Sequence, residues 1–182
     1  MRSIPNMTVF CPGDPFETEE LIKRSYEHFG PVYIRLGKNG EPIIHKNKNK
    51  NKIGEIISIT EGNDLILITT SNTLELGKSW VDDWSQEGIH VNLVSVPTIK
   101  PINQSMIEKL IDRNIPMITL EEHSIIGGLG STISEIIAES GKNVKFKRIG
   151  INDEFSHHVG GAEFQRKKLN ILQKPDNTWF LK

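Results

Sequence analysis

The segment Asp64-Leu-Ile-Leu-Ile-Thr69 is a continuous apolar run between two polar ends. A run without polar alternation is typical of a parallel strand that is buried on both faces of its sheet. Further strands are predicted after it, each separated from the previous strand by a helix, at Val91–Val96, Met117–Glu121 and Val144–Ile149. Strands that alternate with helices predict an α/β fold whose mostly parallel sheet has helices on both faces.

The helices between these strands are predicted from capping and breaking residues. Ser71 is a predicted N-cap for a helix that runs to about Gln86 and stops at Gly88. A turn is predicted at Pro97 to Pro101. The remaining helices are predicted at about Gln104–Arg113, Ser131–Glu139 and Gly161–Leu169.

The first part of the chain predicts a smaller strand–helix–strand unit. Its strands are expected at Thr8–Cys11 and Val32–Arg35, with a helix from about Phe16 to Phe29 that Asp14 caps and Pro15 begins. Two strands and one helix are too few to form a stable core alone. We therefore interpret residues 1–37 as the remnant of a larger, incomplete domain.

Residues 38–54 divide this unit from the rest of the chain. The segment holds five Lys and one Glu, and Lys alternates with Asn through its centre. Such a sequence has no apolar face and no helical or strand period, so it predicts a solvated linker. The chain would then consist of residues 1–37, a Lys/Asn-rich linker at 38–54, and a second domain at 55–182.

Composition and charge exclude several classes of protein. The 182 residues carry 22 Lys and Arg against 23 Asp and Glu, a formal net charge of −1, so no global attraction to nucleic acid or an anionic membrane is expected. No apolar run approaches the roughly 18 residues that span a bilayer, and MRSIPNMTVF lacks a signal-peptide pattern. The single cysteine, Cys11, excludes an internal disulfide framework and fits a reducing compartment. We expect a cytoplasmic protein.

A glycine-rich loop follows the strand Met117–Glu121. Gly127, Gly128 and Gly130 precede a predicted helix, and backbone N–H groups at such a position can bind an anion. The spacing matches neither GxGxxG nor GxxxxGK[ST], so no nucleotide-binding fingerprint is present. The alternative, which we favour, is that these glycines permit a tight turn and close helix–sheet packing.

Adjacent polar residues occur as three candidate sets, Glu121-Glu122-His123, His157-His158 and Asp82-Asp83. Neighbours on a strand point to opposite faces, so such pairs do not converge on one ion or one reacting atom without a bend. We therefore favour solvated or structural roles for all three sets. No GxSxG elbow supports a serine nucleophile either.

Several segments, taken in order, resemble the transketolase family. MRSIPNMTVFCPGD, a helix and GPVYIRLG look like the end of its pyrimidine-binding domain. EGNDLILITT, EGIHVNLVSVPTIKPIN, ITLEEHSIIGGLGSTISEII and RIGINDEFSHHVGG are similar to its C-terminal domain. EEHSIIGGLGS and TIKPIN look closest to the separately encoded C-terminal transketolase subunit.

This resemblance implies two-carbon ketol transfer between sugar phosphates, with thiamine diphosphate and Mg²⁺ in the assembled enzyme. The metal-binding GDG…N segment is absent here, and the region of the activating glutamate would precede Met1. No catalytic, cofactor-binding or metal residue is therefore implied in this chain. Arg35, in Tyr33-Ile-Arg-Leu-Gly37, looks like the arginine that holds the substrate's phosphate. We expect the isolated chain to be inactive and to need an N-terminal transketolase portion or subunit, in a homo- or hetero-oligomer.

Other interpretations remain open at this stage. The chain could be a non-catalytic truncated product or an assembly and oligomerisation module. It could also belong to a related thiamine-diphosphate enzyme, of the 1-deoxyxylulose-5-phosphate synthase or pyruvate dehydrogenase beta subunit type. A third interpretation is a small-anion or nucleotide-binding domain that uses the loop Gly127–Gly130.

Overall fold

A computed structural model describes residues 1–37, 40–47, 52–155, 159–168 and 173–180 of the chain. The strands in this part are β1 Thr8–Phe10, β2 Val32–Ile34, β3 Ile57–Ser58, β4 Leu65–Thr69, β5 Val91–Ser95, β6 Thr98–Lys100, β7 Met117–Ser124 and β8 Phe146–Ile151. The helices are α1 Pro15–Glu27, α2 Thr73–Gln86, α3 Gln104–Ile111, α4 Leu129–Ser140 and α5 Ala162–Lys168, and a short 3-10 helix covers Asn177–Trp179.

The larger sheet has five strands in the order β3-β5-β4-β7-β8. Strands β5, β4, β7 and β8 are parallel, and only the two-residue edge strand β3 runs antiparallel. This confirms the α/β fold with a mostly parallel sheet. Strand β3 was missed because two residues are too few to show a period of two.

Strand β4 is buried on both faces, as its apolar run predicted. Ile66 and Ile68 belong to one core cluster, which includes residues of α3 and α4. Leu65 and Leu67 belong to the cluster on the other face, which includes Trp84 of α2. All four β4 side chains are fully buried. Helices therefore cover both faces of the sheet.

The smaller sheet has three strands in the order β2-β1-β6. Strand β1 pairs with β2 in parallel and with β6 in antiparallel orientation, the latter through Val9 with Lys100 and Phe10 with Thr98. The predicted turn at Pro97–Pro101 is therefore wrong, because Thr98–Lys100 form strand β6. The partner of β6 lies about 90 residues earlier, so no local pattern could reveal the pairing.

Most predicted boundaries differ from the structure by one to three residues. Asp14 caps α1 as predicted, since its Oδ1 accepts the Glu17 N–H at 2.9 Å. The predicted cap Ser71 is wrong: Asn72 is the N-cap of α2, and Ser71 has a φ of 56° with its N–H donating to Cys11 O. Leu169 of the predicted last helix lies outside the described residues. None of the helices in the described ranges is long and apolar enough to cross a membrane.

The Lys/Asn-rich segment is described at residues 40–47 and 52–54. Ile44 packs against the α2-side core cluster, and His45 is 7% exposed. The prediction of a solvated segment is therefore wrong at these two residues. Composition could not show this because the burial of His45 depends on its hydrogen bonds to Asp14. Residues 38, 39 and 48–51 lie outside the described ranges.

Candidate functional site

A cavity of about 710 Å³ lies where the two sheets approach each other. Its wall includes Cys11 after β1, Arg35 after β2, Thr70 after β4, and Glu121 and His123 near the end of β7. These are the carboxyl ends of parallel strands, the edge at which open α/β sheets bind ligands. Both sheets therefore contribute to one candidate site.

Arg35 connects the two sheets across this cavity. Its Nη2 donates to the backbone carbonyl of Glu122 at 2.6 Å, so strand β7 fixes the direction of a side chain that follows β2. The acceptor is a neutral carbonyl, so this contact orients the guanidinium without neutralising its charge. Guanidinium groups present a planar fork of donors that matches the oxygens of phosphate or carboxylate. The position of Arg35 is thus chemically suited to an anionic ligand.

Arg2 also lines the cavity but is held differently. Its two terminal nitrogens donate to the two carboxylate oxygens of Glu135 at 2.6 Å, and its Nε donates to Gly127 O at 3.1 Å. The hydrogen bond from Arg2 lowers the pKa of Glu135. The charge of Arg2 is therefore compensated by a carboxylate of the chain, whereas the Arg35 guanidinium contacts a neutral carbonyl.

Glu121 occupies the anion position that the glycine-rich loop offers. Its Oε2 accepts the N–H of Leu129 at 2.7 Å and its Oε1 accepts that of Gly130 at 2.8 Å, at the start of α4. Burial raises the pKa of Glu121, and these backbone hydrogen bonds lower it in part. A carboxylate of the chain itself thus uses the N–H groups that an external anion would need.

The glycines of this loop allow a close approach, which confirms the packing interpretation. A Cβ at Gly128 would collide with the Glu121 carboxylate. A Cβ at Gly130 would lie 2.8 Å from the Arg148 side chain and 2.9 Å from Thr119 Oγ1. Gly127 has a φ of 80°, which side chains rarely adopt. The third interpretation, an anion or nucleotide site on this loop, is therefore wrong for the N–H groups of Leu129 and Gly130, because both donate to Glu121.

The structure brings the residues of the other candidate sets together only in part. Glu121 and His123 line the cavity, whereas Glu122 between them accepts a hydrogen bond from Asn72 Nδ2. His123 is exposed, and its Nδ1 lies 2.9 Å from Ser124 O. Asp82 pairs with Lys78 on exposed helix surface. His157-His158 lies outside the described residues, within which no group of three or more His, Cys, Asp or Glu could hold a metal ion.

Cys11 lines the cavity, although the sequence did not identify it as a site residue. Burial raises the pKa of its thiol to about 11, although the Arg35 charge lowers it in part. The group is therefore a neutral thiol at physiological pH and not a nucleophilic thiolate. The only indication in the sequence that Cys11 could line a site was its position at the end of the first predicted strand.

The chain is similar to known proteins over most of its length. Residues 54–168 match the family described as "Transketolase, C-terminal domain". The chain is 39% identical to the "Putative transketolase C-terminal section" of Methanocaldococcus jannaschii, covering 85% of this chain and 49% of that protein. It is 32% identical to a subunit of the apulose-4-phosphate transketolase of Actinobacillus succinogenes, covering 94% and 55%. It is 28% identical to a 1-deoxy-D-xylulose-5-phosphate synthase of Shouchella clausii, covering 92% and 27%.

Solved structures show the same relationship. A structure described as "Split gene transketolase, inactive beta4 tetramer" matches with a TM-score of 0.85 and 29% identity, covering 94% of this chain and 55% of that one. A transketolase of Pichia stipitis shares the fold, with a TM-score of 0.70 and 18% identity, covering 93% and 24%. The chain spans about half the length of the first two relatives. The resemblance stated from the sequence is confirmed, and this chain belongs to the transketolase C-terminal domain family.

Proposed function

We propose that this chain is the C-terminal part of a transketolase-type transferase that moves a two-carbon ketol unit between sugar phosphates. The family match supports the class of enzyme. The observation that carries the proposal is the position of Arg35, which lies at the carboxyl end of β2, lines the cavity between the sheets and is oriented by the Glu122 carbonyl. Arg35 would hold the phosphate of the sugar substrate.

The proposed enzyme uses thiamine diphosphate and Mg²⁺, but the described residues do not fit this cofactor. They include no cluster of three or more ionisable ligands for a metal ion. The first N–H groups of α4, which could otherwise bind a diphosphate, are bonded to Glu121. We therefore expect another chain or chain segment to hold the cofactor, and the isolated 182 residues to be inactive.

An N-terminal transketolase portion or subunit is the proposed partner. In the described part of the chain β2 pairs with β1 alone, so its other edge has open N–H and C=O groups. Tyr33 of β2 is exposed, as are Phe29, three residues before this strand, and Tyr26 of α1. Open strand edges are typical of surfaces that another chain covers. We place this assembly in the cytoplasm, in keeping with the buried free thiol of Cys11.

Two alternatives have support from particular relatives. One structural relative is described as an inactive tetramer of its beta chain, which favours a non-catalytic assembly module. Relatives named 1-deoxy-D-xylulose-5-phosphate synthase, at 28% and 34% identity, favour a different reaction of the same cofactor. The experiment must therefore separate assembly from activity, and one reaction from the other.

Reconstitution tests these proposals. The chain is mixed with a separately produced N-terminal transketolase subunit, thiamine diphosphate and Mg²⁺, and complex formation is followed by sedimentation. We expect turnover of xylulose 5-phosphate with a phosphorylated aldose acceptor in the mixture and none with either chain alone. A stable but inactive complex would favour the assembly module, and CO₂ release from pyruvate would favour the synthase. Micromolar binding of thiamine diphosphate to this chain alone, measured by calorimetry, would contradict the cofactor assignment.

A further inference from the structure

A buried polar cluster lies where three separate stretches of the chain meet. Asp14 precedes α1, Glu17 lies in its first turn, His45 belongs to segment 40–47, and Ser95 ends β5. All four are buried, with 2%, 3%, 7% and 0% of their surfaces exposed. We call these residues the junction cluster. Buried ionisable groups are stable only when hydrogen bonds or opposite charges compensate them, so the contacts within the cluster determine its protonation.

Asp14 is held as a carboxylate by four donors. Its Oδ1 accepts the N–H of Glu17, and its Oδ2 accepts the N–H of Ile44 and of His45, both at 3.1 Å, and His45 Nδ1–H at 2.8 Å. Burial raises the pKa of Asp14, but these hydrogen bonds outweigh burial and lower it to about 2. The carboxylate thus binds both the backbone and the ring of segment 40–47.

Glu17 faces the other nitrogen of the same imidazole. Its Oε2 accepts the Gly13 N–H at 2.6 Å and its Oε1 accepts the Ser95 hydroxyl at 2.5 Å, while His45 Nε2 lies 3.3 Å from Oε1. Because Nδ1 donates its proton to Asp14, Nε2 of a neutral ring carries a lone pair. A lone pair that faces a carboxylate is repelled. Within the described part of the chain Nε2 makes no hydrogen bond, so the 3.3 Å contact is attractive only as an ion pair with a protonated ring.

The electrostatic balance favours retention of this proton. Burial raises the pKa of Glu17 to about 7, and the Ser95 and Gly13 hydrogen bonds oppose burial only in part. Burial lowers the pKa of His45, but the Asp14 hydrogen bond and the Glu17 charge outweigh burial and raise it. Strand β5 contacts Glu17 through the neutral hydroxyl of Ser95, so this contact adds no charge to the cluster.

Two further cations lie near His45. Lys46 of the same segment and Lys78 of α2 line a groove beside the imidazole. Lys78 is paired with Asp82. The acidic groups Asp14 and Glu17 are in direct contact with the ring, so they dominate its protonation.

We propose that segment 40–47 is a pH-sensitive strap, docked on α1 and β5 by the ion pair of a protonated His45 with Glu17, whose Nε2 and Oε1 lie 3.3 Å apart, and released when that proton is lost. Without the proton, two buried carboxylates remain around a neutral ring, and Glu17 has no positive partner in the junction cluster. Release of His45 admits water to both carboxylates. Segment 40–47 would then be docked in neutral and mildly acidic solution and open in alkaline solution.

Hydrogen exchange at the amides of Ile44 and His45 tests this proposal directly, since both donate to Asp14. After correction for intrinsic exchange, we expect their protection to fall at least about tenfold between pH 6 and pH 9, the factor that corresponds to one pKa unit. The Met106 amide, which donates to Asn103 at the start of α3, serves as an internal reference and should keep its protection. Equal protection of Ile44 and His45 at both pH values would overturn the proposal.

Two variants separate loss of the His45 proton from a general loosening of the fold in alkaline solution. In Glu17→Gln the amide can donate to His45 Nε2 at every pH, so protection at Ile44 should change less than twofold between pH 6 and pH 9. His90→Gln removes an exposed imidazole beside Asp64 and should behave as the wild type. If Glu17→Gln shows the same loss as the wild type, the proposal is wrong.

An NMR titration of the wild-type histidines covers the case in which Glu17→Gln does not fold. We expect the His45 ring to titrate above the usual value of about 6.5 for a histidine, together with loss of Ile44 protection. A His45 ring that titrates at or below that value, or loses its proton without loss of Ile44 protection, would overturn the proposal.

Discussion

The Glu121 carboxylate accepts the backbone N–H of Gly130 at 2.8 Å, across the glycine-rich turn between β7 and α4. The same carboxylate accepts the N–H of Leu129 at 2.7 Å. A negative charge is stabilised at the N-terminus of a helix, where backbone donors have no partner within the helix. Glu121 therefore links the start of α4 by hydrogen bonds to β7, the strand whose Glu122 carbonyl also orients Arg35.

Removal of this carboxylate should destabilise the chain. In Glu121→Ala the N–H groups of Leu129 and Gly130 lose their acceptor in a buried site, so we expect the free energy of unfolding to fall by about 1–3 kcal/mol. Urea denaturation measures the change. Glu139→Ala removes an exposed carboxylate from the same helix and should shift the unfolding free energy by less than about 0.5 kcal/mol. Equal effects would show that the Glu121 contacts contribute no stability.

Gly128 should tolerate no side chain, because a Cβ there would overlap the Glu121 carboxylate. We expect Gly128→Ala to lower the free energy of unfolding by about 1–3 kcal/mol, as overpacked sites do. Gly161→Ala is the matched control, since a Cβ at Gly161 would meet nothing within 4 Å. Thermal and urea denaturation of the two variants should differ clearly, and similar stability would contradict the packing at Gly128.

Acid should destabilise the chain through Asp14. The folded-state pKa of this group is about 2, below its usual value of 3.8. Its contribution to stability is therefore present above pH 4 and is lost as the pH falls towards 2. Asp14→Asn should be less stable at neutral pH and should show a smaller loss of unfolding free energy between pH 4 and pH 2. Asp83→Asn, on the exposed surface of α2, should retain the wild-type pH dependence.

Strand β2 should behave as an edge that a partner covers. In the described part of the chain β1 is paired on both sides, whereas β2 pairs with β1 alone. We expect the isolated chain to self-associate at high concentration and residues 32–34 to be less protected from hydrogen exchange than residues 65–69. Addition of the N-terminal subunit should raise protection at 32–34. A monomer with equal protection in both strands would refute this prediction.

The local sequence was sufficient to predict those structural features whose physical cause lies in neighbouring residues. The burial of β4 follows from an unbroken apolar run, and the Asp14 cap follows from the residues around it. Strand β6 could not be predicted, because Thr98 and Lys100 pair with residues of β1 that are distant in the sequence.

The candidate site was predicted only in part for the same reason. Arg35 was identified through the resemblance to transketolases, but its contact with Glu122 O joins two sheets and needs the tertiary fold. The burial of His45 in a Lys/Asn-rich segment depends on carboxylates about 30 residues earlier. Composition alone therefore predicted that His45 is exposed to solvent.

The response of Arg35→Ala to the charge of the acceptor sugar tests whether Arg35 binds the substrate's phosphate. In the reconstituted complex, we measure kcat/KM with a phosphorylated acceptor and with its unphosphorylated counterpart, with Lys23→Ala on the exposed face of α1 as the control. We predict that Arg35→Ala costs about 1.5–3 kcal/mol of transition-state stabilisation with the phosphorylated acceptor alone, as expected for one lost hydrogen bond to a charged group. Affinity for thiamine diphosphate should be unchanged. An equal loss with both acceptors would contradict phosphate binding by Arg35, because Arg35 would then be structural.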